Sequence, residues 1–292
     1  MQGRIIRLLA GFYFVQLGDS EVRCRARGKL RLQSENPCVG DYVKISLLPD
    51  GEGVIEEVLP RLNVLERPFV ANITQVVVVC AATRPLPNLV LLDRVLVAAE
   101  HLGVSGVVVI NKCDLESGDT VKRLYRQAGY PVVPLSLWAE GNMEPMLAAL
   151  RGQTSVLAGQ SGVGKSSLIK HLCPKREVLV GEVNMRKGFG RHTTRHVELI
   201  YMPEWDAYVV DTPGFSKIDL PLELSSRALS DYYREMRGLR EYCKFGHDCR
   251  HQDEPECRVR QEVLAGNISA ERYSSYIMLL GELKERERSQ YK

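Results

Sequence analysis

The sequence predicts an α/β protein of three parts: a small N-terminal β-barrel, a parallel sheet flanked by helices, and a helical C-terminal region. Residues 1–65 form short β-like runs between turn residues, such as "GFYFVQL" and "DYVKISLL", without a helical period. In residues 66–220, buried-strand runs such as "ITQVVVVCAA" and "VSGVVVI" alternate with helical stretches, as expected for a parallel sheet. Residues 221–292 are charged, helical and rich in cysteine.

The composition excludes several classes of protein. The 292 residues are 45% hydrophobic and 26% charged, and the net charge of +3 means that any nucleic-acid surface has to come from local clustering. No apolar run approaches the roughly 20 residues of a membrane span, and the basic, apolar start lacks a small-residue cleavage site. Three of the eight cysteines crowd one segment, which favours a metal site over a disulfide framework. We expect a reduced, cytoplasmic monomer without membrane contact.

A phosphate-binding loop is predicted at "GQSGVGKS", which matches G-x-x-x-x-G-K-[ST] without a mismatch. It follows the apolar strand "TSVLA" and opens the helix "KSSLIKHL". Glycines allow backbone N–H groups to wrap the phosphates, and the helix N-terminus adds its positive dipole end. Lys165 is expected to reach the β- and γ-phosphates, and Ser166 to ligate Mg²⁺. The residues expected to bind the nucleotide here are Gly159, Gln160, Ser161, Gly162, Val163, Gly164, Lys165, Ser166 and Ser167.

The motif "VVDTPG" ends another predicted strand. Asp211 is placed to hold Mg²⁺ through water, and the Gly214 N–H to sense the γ-phosphate. A basic, glycine-rich loop at 181–199 precedes this strand, and either Thr193 or Thr194 within it is expected to close over Mg²⁺. These residues predict two switch loops.

The group that orients the attacking water is not a glutamine in this chain. Phe215 stands where that glutamine often follows D-T-P-G, and a phenyl ring cannot orient water. His192 is the first candidate for the role and His196 the second. Both also fit as solvated loop histidines.

The guanine base is predicted to bind at "NKCD", which follows the strand "VSGVVVI". Asp114 can accept from guanine N1–H and from the exocyclic amine, which selects GTP over ATP. Asn111 can bond the base edge or tie the loop to the phosphate loop, and the Lys112 stem can lie across the base. Ser136 follows the next strand, where GTPases place a loop that contacts guanine O6; it also fits as an ordinary turn residue.

A metal site is predicted in "CKFGHDCRHQDEPEC". Three thiolates and an imidazole make a closed tetrahedral set, typical of structural zinc, and the expected ligands are Cys243, Cys249, His251 and Cys257. His247 is a competing candidate, with simple solvent exposure as the alternative. The region shows no obvious large core, so zinc is expected to supply much of its folding energy.

A row of cations follows one predicted strand, because every second residue of "RCRARGKLR" is basic: Arg23, Arg25, Arg27, Lys29 and Arg31. On a strand this period places them on one face. A cationic face without acidic partners, on a small barrel, matches how OB-type barrels bind RNA backbones. A solvated face is the alternative, and the mutual repulsion of like charges favours RNA.

The motifs do not follow one another in the usual order, since the guanine loops precede the phosphate loop and the switch loops follow it. The motifs resemble those of translation-factor-like GTPases in circularly permuted order, a rearrangement that costs little where the usual chain ends lie close together. The predicted fold class is therefore a circularly permuted P-loop GTPase domain, with an N-terminal OB-type β-barrel and a C-terminal helical zinc-binding domain. The last switch leads directly into the C-terminal region, which suits a conformational switch.

Together these motifs resemble the ribosome small-subunit-dependent GTPase A (RsgA) family of bacteria over nearly the whole chain. The resemblance implies GTP or GDP, Mg²⁺ and one structural Zn²⁺. It also implies binding to rRNA of the small (30S) ribosomal subunit, and subunit-stimulated GTP hydrolysis late in its maturation. The chain departs from the family at Arg195, where a threonine run usually continues, and by having five residues between its first two clustered cysteines where four are usual.

Two other functions compete with this one. The first is a permuted GTPase of large-subunit assembly, which the barrel and the cysteine-rich tail disfavour. The second is an RNA-binding protein gated by a nucleotide that it turns over little.

Overall fold

The computed structural model describes residues 1–28, 36–138, 143–174, 197–211 and 219–290. Contacts divide the chain into two compact units. The first comprises Met1–Thr74, Leu147–Leu157 and Ser166–Phe215. The second comprises Gln75–Met146, Ala158–Lys165 and Ser216–Lys292. Among the described residues, no helix combines the length and the apolar character needed to cross a membrane.

The elements follow one another along the chain in the predicted alternation. The strands are β1 (Gln2–Leu9), β2 (Phe12–Leu17), β3 (Ser20–Ala26), β4 (Tyr42–Leu47), β5 (Gly53–Val58), β6 (Val64–Glu66), β7 (Phe69–Ala71), β8 (Gln75–Ala81), β9 (Ser105–Asn111), β10 (Val132–Pro134), β11 (Thr154–Ala158), β12 (Glu198–Met202) and β13 (Ala207–Asp211). The α-helices are α1 (Leu89–His101), α2 (Asp119–Gln127), α3 (Glu144–Leu150), α4 (Lys165–Leu172), α5 (Arg258–Leu264) and α6 (Ala270–Gln290). The β6–β7 hairpin, α3 and β12 were not predicted from the sequence.

The first five strands close into the predicted OB-type barrel. They pair in the order β1-β2-β3-β5-β4, and β4 returns to pair with β1. Alternate side chains point inward and are apolar, which gives the barrel its core: Ile5, Val15, Cys24, Val43, Ile45 and Ile55. The barrel is therefore held by a small but fully buried core.

The barrel strand β1 also joins the strands of the same unit that border the nucleotide motifs. β12 pairs antiparallel with β1, Arg7 facing Glu198, and β13 lies between β12 and the parallel strand β11. Arg4 is buried at this junction, where its Nη1 donates to Thr154 Oγ1 at 2.8 Å and its Nη2 donates to Asn72 O at 2.9 Å. A buried guanidinium must place its N–H groups on acceptors, so Arg4 fixes β1 against β11.

The second unit contains a parallel sheet in the order β10-β9-β8. β8 is buried along its whole length, as expected for a parallel strand covered on both faces. Helix α1 follows β8 and is capped by Asn88, whose Oδ1 accepts from Leu91 N at 3.0 Å. Parallel strands end at the same edge, so the loops after β8, β9 and β10 lie close together.

The C-terminal region has a larger core than the sequence predicted. Tyr233, Tyr276, Leu279 and Leu280 are buried in one cluster with the three clustered cysteines and with Val97 of α1. Much of this core comes from irregular turns and short 3₁₀ helices, which carry no hydrophobic period. The expectation of a region without a large core was therefore wrong, and its folding energy does not come from a metal alone.

A buried arginine ties α6 to α1 within this unit. The Arg272 guanidinium forms ion pairs with Asp93 of α1 and with Glu235. Its central carbon also lies 5.0 Å from the ring centre of Tyr125 and 5.1 Å from that of Tyr233. Burial opposes the charge, but the two carboxylates raise the pKa of Arg272 above its usual range. The guanidinium is thus matched by charge and by aromatic faces.

Candidate nucleotide site and metal centre

The "NKCD" loop is fastened to the phosphate loop by two side chains. Asn111, buried at the end of β9, donates from Nδ2 to Val163 O at 2.8 Å. Lys112 donates from Nζ to Gly162 O at 3.0 Å and to Arg84 O at 2.6 Å. Two roles were expected for Asn111, and the structure shows the one that joins the two loops by a hydrogen bond. The Lys112 stem runs from one loop to the other.

The two predicted guanine-contacting residues lie side by side. Ser136 donates from Oγ to Asp114 Oδ1 at 2.6 Å. Their loops are aligned by backbone bonds, since Leu135 N donates to Ile110 O at 2.8 Å and Cys113 N to Leu135 O at 3.0 Å. The hydroxyl orients the exposed Asp114 carboxylate, whose second oxygen can accept from a ligand. The sequence predicted both residues but not their hydrogen bond.

The phosphate loop requires glycine at two positions for reasons of space. Gly159 has φ +142°, and a Cβ there would lie 2.0 Å from Val79 O. Gly164 has φ +102°, and a Cβ there would lie 2.3 Å from Asn111 Nδ2. Both are left-handed conformations in contact with neighbouring groups, so any other residue would be strained and would also clash. At both positions the backbone of the phosphate loop lies so close to neighbouring groups that only glycine fits.

The Lys165 ammonium is held inside the phosphate loop. Its Nζ donates to Gly159 O at 2.6 Å and to Gln160 O at 2.8 Å. Burial lowers the pKa of Lys165, because the charged form loses water. Two carbonyls offset only part of that loss, so the position favours an anion as a further partner.

The predicted Mg²⁺ ligands belong to the first unit. Ser166 is exposed near the start of α4, and Asp211 is the last residue of β13. β13 runs parallel to β11, with Val210 facing Val156, so Asp211 is level with Leu157 near the end of β11. The phosphate loop begins two residues after Leu157. A carboxylate and a hydroxyl are ligands that suit Mg²⁺.

The predicted switch residues fall outside the described part of the chain. His192, Thr193, Thr194 and His196 lie in residues 175–196, and Gly214 and Phe215 in residues 212–218. Their roles remain predictions.

The four predicted metal ligands converge in the C-terminal region. Cys243, Cys249, His251 and Cys257 are all buried, with ligand atoms within 4.8 Å of one another. His251 Nδ1 lies 3.6, 3.4 and 3.3 Å from the Sγ atoms of Cys243, Cys249 and Cys257, and the Sγ atoms of Cys243 and Cys257 are 4.0 Å apart. Tetrahedral zinc would separate sulfur from nitrogen by roughly 3.5 Å and sulfur from sulfur by roughly 3.8 Å. The set fits zinc, and the exposed His247 is outside it.

The backbone around the metal ligands is fixed by a second layer of contacts. Tyr273 donates from its hydroxyl to His251 O at 2.6 Å, and Tyr276 donates to Arg250 O at 2.7 Å. The Glu254 carboxylate accepts from Arg250 N at 2.9 Å and from Gln252 N at 2.8 Å. These bonds hold the ligand-bearing loop in place, as second-layer contacts do in structural metal sites.

The basic strand differs from the prediction in one respect. Arg23 and Arg25 do share a face, since their guanidinium carbons lie 4.5 and 4.9 Å from the ring centre of Phe12. The expectation of no acidic partners was wrong, because Glu52 pairs with Arg23 and Arg25, and Glu56 pairs with Arg27. Glu56 lies in β5, the parallel neighbour of β3, and Glu52 directly precedes β5. Lys29 and Arg31 lie outside the described residues.

The sequence did not identify the segment "TRPLPN", which follows β8, as part of the nucleotide site. Arg84 supplies the carbonyl that binds Lys112, and Asn88 N donates to Gln160 Oε1 at 3.2 Å. The available signal was its position, since it leaves a buried parallel strand at the same edge as the guanine loops.

An "NKCD" loop fastened to a phosphate loop that follows it in the chain defines a circularly permuted GTPase. Solved structures support this class. The crystal structure of YloQ, a circularly permuted GTPase, has a TM-score of 0.80 and 34% identity, covering 98% of this chain and 95% of that one. YjeQ from Thermotoga maritima has a TM-score of 0.79 and 33% identity, covering 97% and 98%.

The chain belongs to the RsgA GTPase family. The RsgA GTPase model matches residues 58–221, and the RsgA N-terminal domain model matches residues 2–55. A small ribosomal subunit biogenesis GTPase RsgA from Caldanaerobacter subterraneus subsp. tengcongensis is 43% identical over 100% of this chain and 99% of its own length. Its namesake from Moorella thermoacetica is 41% identical over 99% of each chain.

Proposed function

We propose that this chain is a cytoplasmic, monomeric GTPase that acts in late maturation of the small ribosomal subunit. The observation that carries the proposal is the guanine loop bonded to the phosphate loop by Asn111 and Lys112, in a member of the RsgA GTPase family. Relatives at about 40% identity are named for small-subunit biogenesis. The subunit and its rRNA are therefore the proposed partners.

In this proposal the second unit selects the nucleotide. Asp114, oriented by Ser136, accepts from the N1–H and the exocyclic amine of guanine, which adenine lacks. The Lys112 stem covers one base face. The phosphate loop, Gly159–Ser167, donates its backbone N–H groups, and the Lys165 ammonium exchanges loop carbonyls for phosphate oxygens. GTP is bound as substrate and GDP as product.

The remaining proposed roles concern Mg²⁺ and the γ-phosphate. Ser166 would ligate Mg²⁺ directly and Asp211 through water, with Thr193 or Thr194 closing over the ion and Gly214 N–H contacting the γ-phosphate. Bound Mg²⁺ supplies charge neutralisation for the phosphate oxygens. Because Phe215 cannot orient water, His192 is the proposed orienting group, with His196 second.

Hydrolysis is proposed to be slow until the small subunit orders the basic loop at 181–196. Partners that supply or order a missing catalytic part raise GTPase rates by roughly 10³–10⁵-fold. The proposed division of labour is an rRNA-binding barrel at 1–65, the GTPase domain at 66–220 and a zinc domain at 221–292. The family models match residues 2–55 and 58–221.

The test is GTP turnover with and without purified small subunits. The parent should be stimulated by small subunits and not by large ones. Lys165→Ala should lose nucleotide binding and turnover together. His192→Ala should keep GTP binding and lose most of the stimulated rate. A parent stimulated only by large subunits, or by neither, would sink the proposal; equal stimulation of His192→Ala would return that histidine to a structural role.

A further inference from the structure

Trp138 is an exposed aromatic residue beside the guanine loops. It is 82% exposed, and it is one of only two tryptophans in the chain. Exposed large apolar side chains are common on protein surfaces, but an exposed tryptophan offers a broad aromatic face for stacking on a ligand. The indole thus has free faces at the rim of the nucleotide site.

The residues before Trp138 place it at this rim. Ser136 donates to Asp114, the proposed guanine acceptor. Leu137 is buried, and its Cδ1 lies 3.7 Å from where a Cβ on Gly164 of the phosphate loop would be. Burial alternates along these residues, from buried Leu137 to exposed Trp138, which follows Ser136 by two residues.

Lys112 is the residue proposed to cover one face of the base. Lys112 lies two residues before Asp114, and its Nζ donates to Arg84 O and to Gly162 O, so its side chain spans from the guanine loop to the phosphate loop. Its loop position is fixed by a left-handed backbone, φ +64°. A flat base held by Asp114 would have one face on this stem. Its other face needs an apolar cover to leave water.

We propose that the Trp138 indole is this cover and stacks on the guanine base, opposite the Lys112 stem. The inference rests on the proposed function, since it concerns the same nucleotide. Aromatic–base stacking tolerates any base, because every base has a π-face. Trp138 therefore adds affinity for the base, while Asp114 supplies the selection of guanine.

Binding measurements test the contact. Trp138→Ala should weaken GDP and GTP by the same factor, roughly 5- to 150-fold, because stacking does not involve the phosphates. Trp138→Phe should retain part of the affinity, and neither variant should change the thermal midpoint of the nucleotide-free protein. Calorimetric titration of each variant with GDP and with GTP provides the measurement.

Fluorescence gives an independent readout. Trp205→Phe leaves Trp138 as the only indole, and GDP should quench it along a saturation curve that matches calorimetry. Trp138→Phe leaves Trp205, half-buried under Arg151, as the matched control, and its emission should not follow GDP.

The outcomes separate this inference from the proposed function. The stacking contact alone would be overturned by the following result. The parent binds GDP, Trp138→Ala binds GDP equally well, and GDP does not quench Trp138 in the Trp205→Phe variant. A Trp138→Ala variant with full GDP affinity but weaker stimulation by small subunits would move the indole to a partner surface and also overturn it. A parent that binds no guanine nucleotide would overturn the proposed function itself.

Discussion

Arg272 and Asp93 form a buried ion pair between α6 and α1, with side chains 2% and 0% exposed. The same helix α1 is capped by Asn88, whose backbone N–H donates to Gln160 of the phosphate loop. Helix α1 therefore contacts the phosphate loop at its N-terminal end and the C-terminal region through Asp93. Breaking the ion pair should therefore weaken the contacts of α1 with both the phosphate loop and the C-terminal region.

Arg272→Met should lower the free energy of unfolding by about 3–5 kcal/mol, the usual cost of leaving a buried charge without its partner. Urea unfolding of the protein provides the measurement. Arg288→Met, on an exposed position of the same helix, is the control and should change stability by less than about 0.5 kcal/mol. Equal midpoints for the two variants would contradict a structural role for the pair.

Glu282 should give a pH-dependent contribution to stability. Its bond to Arg94 lowers the pKa of the carboxyl below its usual value. A lowered folded-state pKa adds stability above the unfolded pKa of about 4.5, and that stability is lost as the pH falls through the folded value. The parent should exceed Glu282→Gln by less than about 1 kcal/mol at pH 7, because the pair is partly exposed. The difference, measured by unfolding, should vanish in acid; a constant difference from pH 7 to 3 would exclude the linkage.

Asp114→Asn should weaken GTP binding by about 3 kcal/mol or more, because two guanine donors lose a charged acceptor. Xanthosine triphosphate carries a carbonyl where guanine has its amine, so the variant's amide N–H should bind it better than the parent does. Calorimetry with both nucleotides measures the exchange. Asp119→Asn, in the exposed first turn of α2, is the matched control. Undiminished GTP affinity in Asp114→Asn would remove this residue from the site.

The purified, reduced protein should contain about one equivalent of zinc by metal analysis. Chelation should lower the thermal midpoint and loosen the C-terminal region, because the metal then no longer fixes the ligand-bearing loop. Nucleotide binding should persist when Mg²⁺ is kept present, since none of the proposed nucleotide-binding residues belongs to the cysteine and histidine set. Cys257→Ser should lose the metal and His247→Ala should keep it, because only the former contributes a ligand atom. Metal loss in His247→Ala alone would require a different ligand set.

Replacing Arg23, Arg25 and Arg27 with glutamine should weaken binding to small subunits and reduce its salt dependence. Each lost phosphate contact reduces the slope of log affinity against log salt by about 0.7–0.9. The control removes three cations from α2 by Lys122→Gln, Arg123→Gln and Arg126→Gln. If both triple variants keep the parent's slope, the β3 arginines serve only their pairs with Glu52 and Glu56.

The features that could be predicted from the sequence are short local motifs. The phosphate loop, "NKCD" and the cysteine cluster are short motifs whose chemistry needs fixed residue types at fixed spacing, so they could be read before any fold was known. The partners of these motifs come from distant positions. Val163, which accepts from Asn111, is 52 residues away, and no spacing rule connects them.

The two misjudged features have different physical causes. Glu52 reaches the arginines because β3 pairs in parallel with β5, and a parallel pair joins strands that are not adjacent in the chain. The C-terminal core was missed because residues such as Tyr233 lie in turns, where side chains follow no helical or strand period.

The position of β1 has a consequence for synthesis of the chain. Its Gln2–Arg4 half pairs with β4, but Arg7 pairs with Glu198, which is made only when about two thirds of the chain exists. The barrel core can form as soon as β5 emerges, while the far half of β1 keeps an open edge. Unpaired strand edges recruit other chains. We therefore expect this edge to remain open to other chains until β12 has been translated and can cover it.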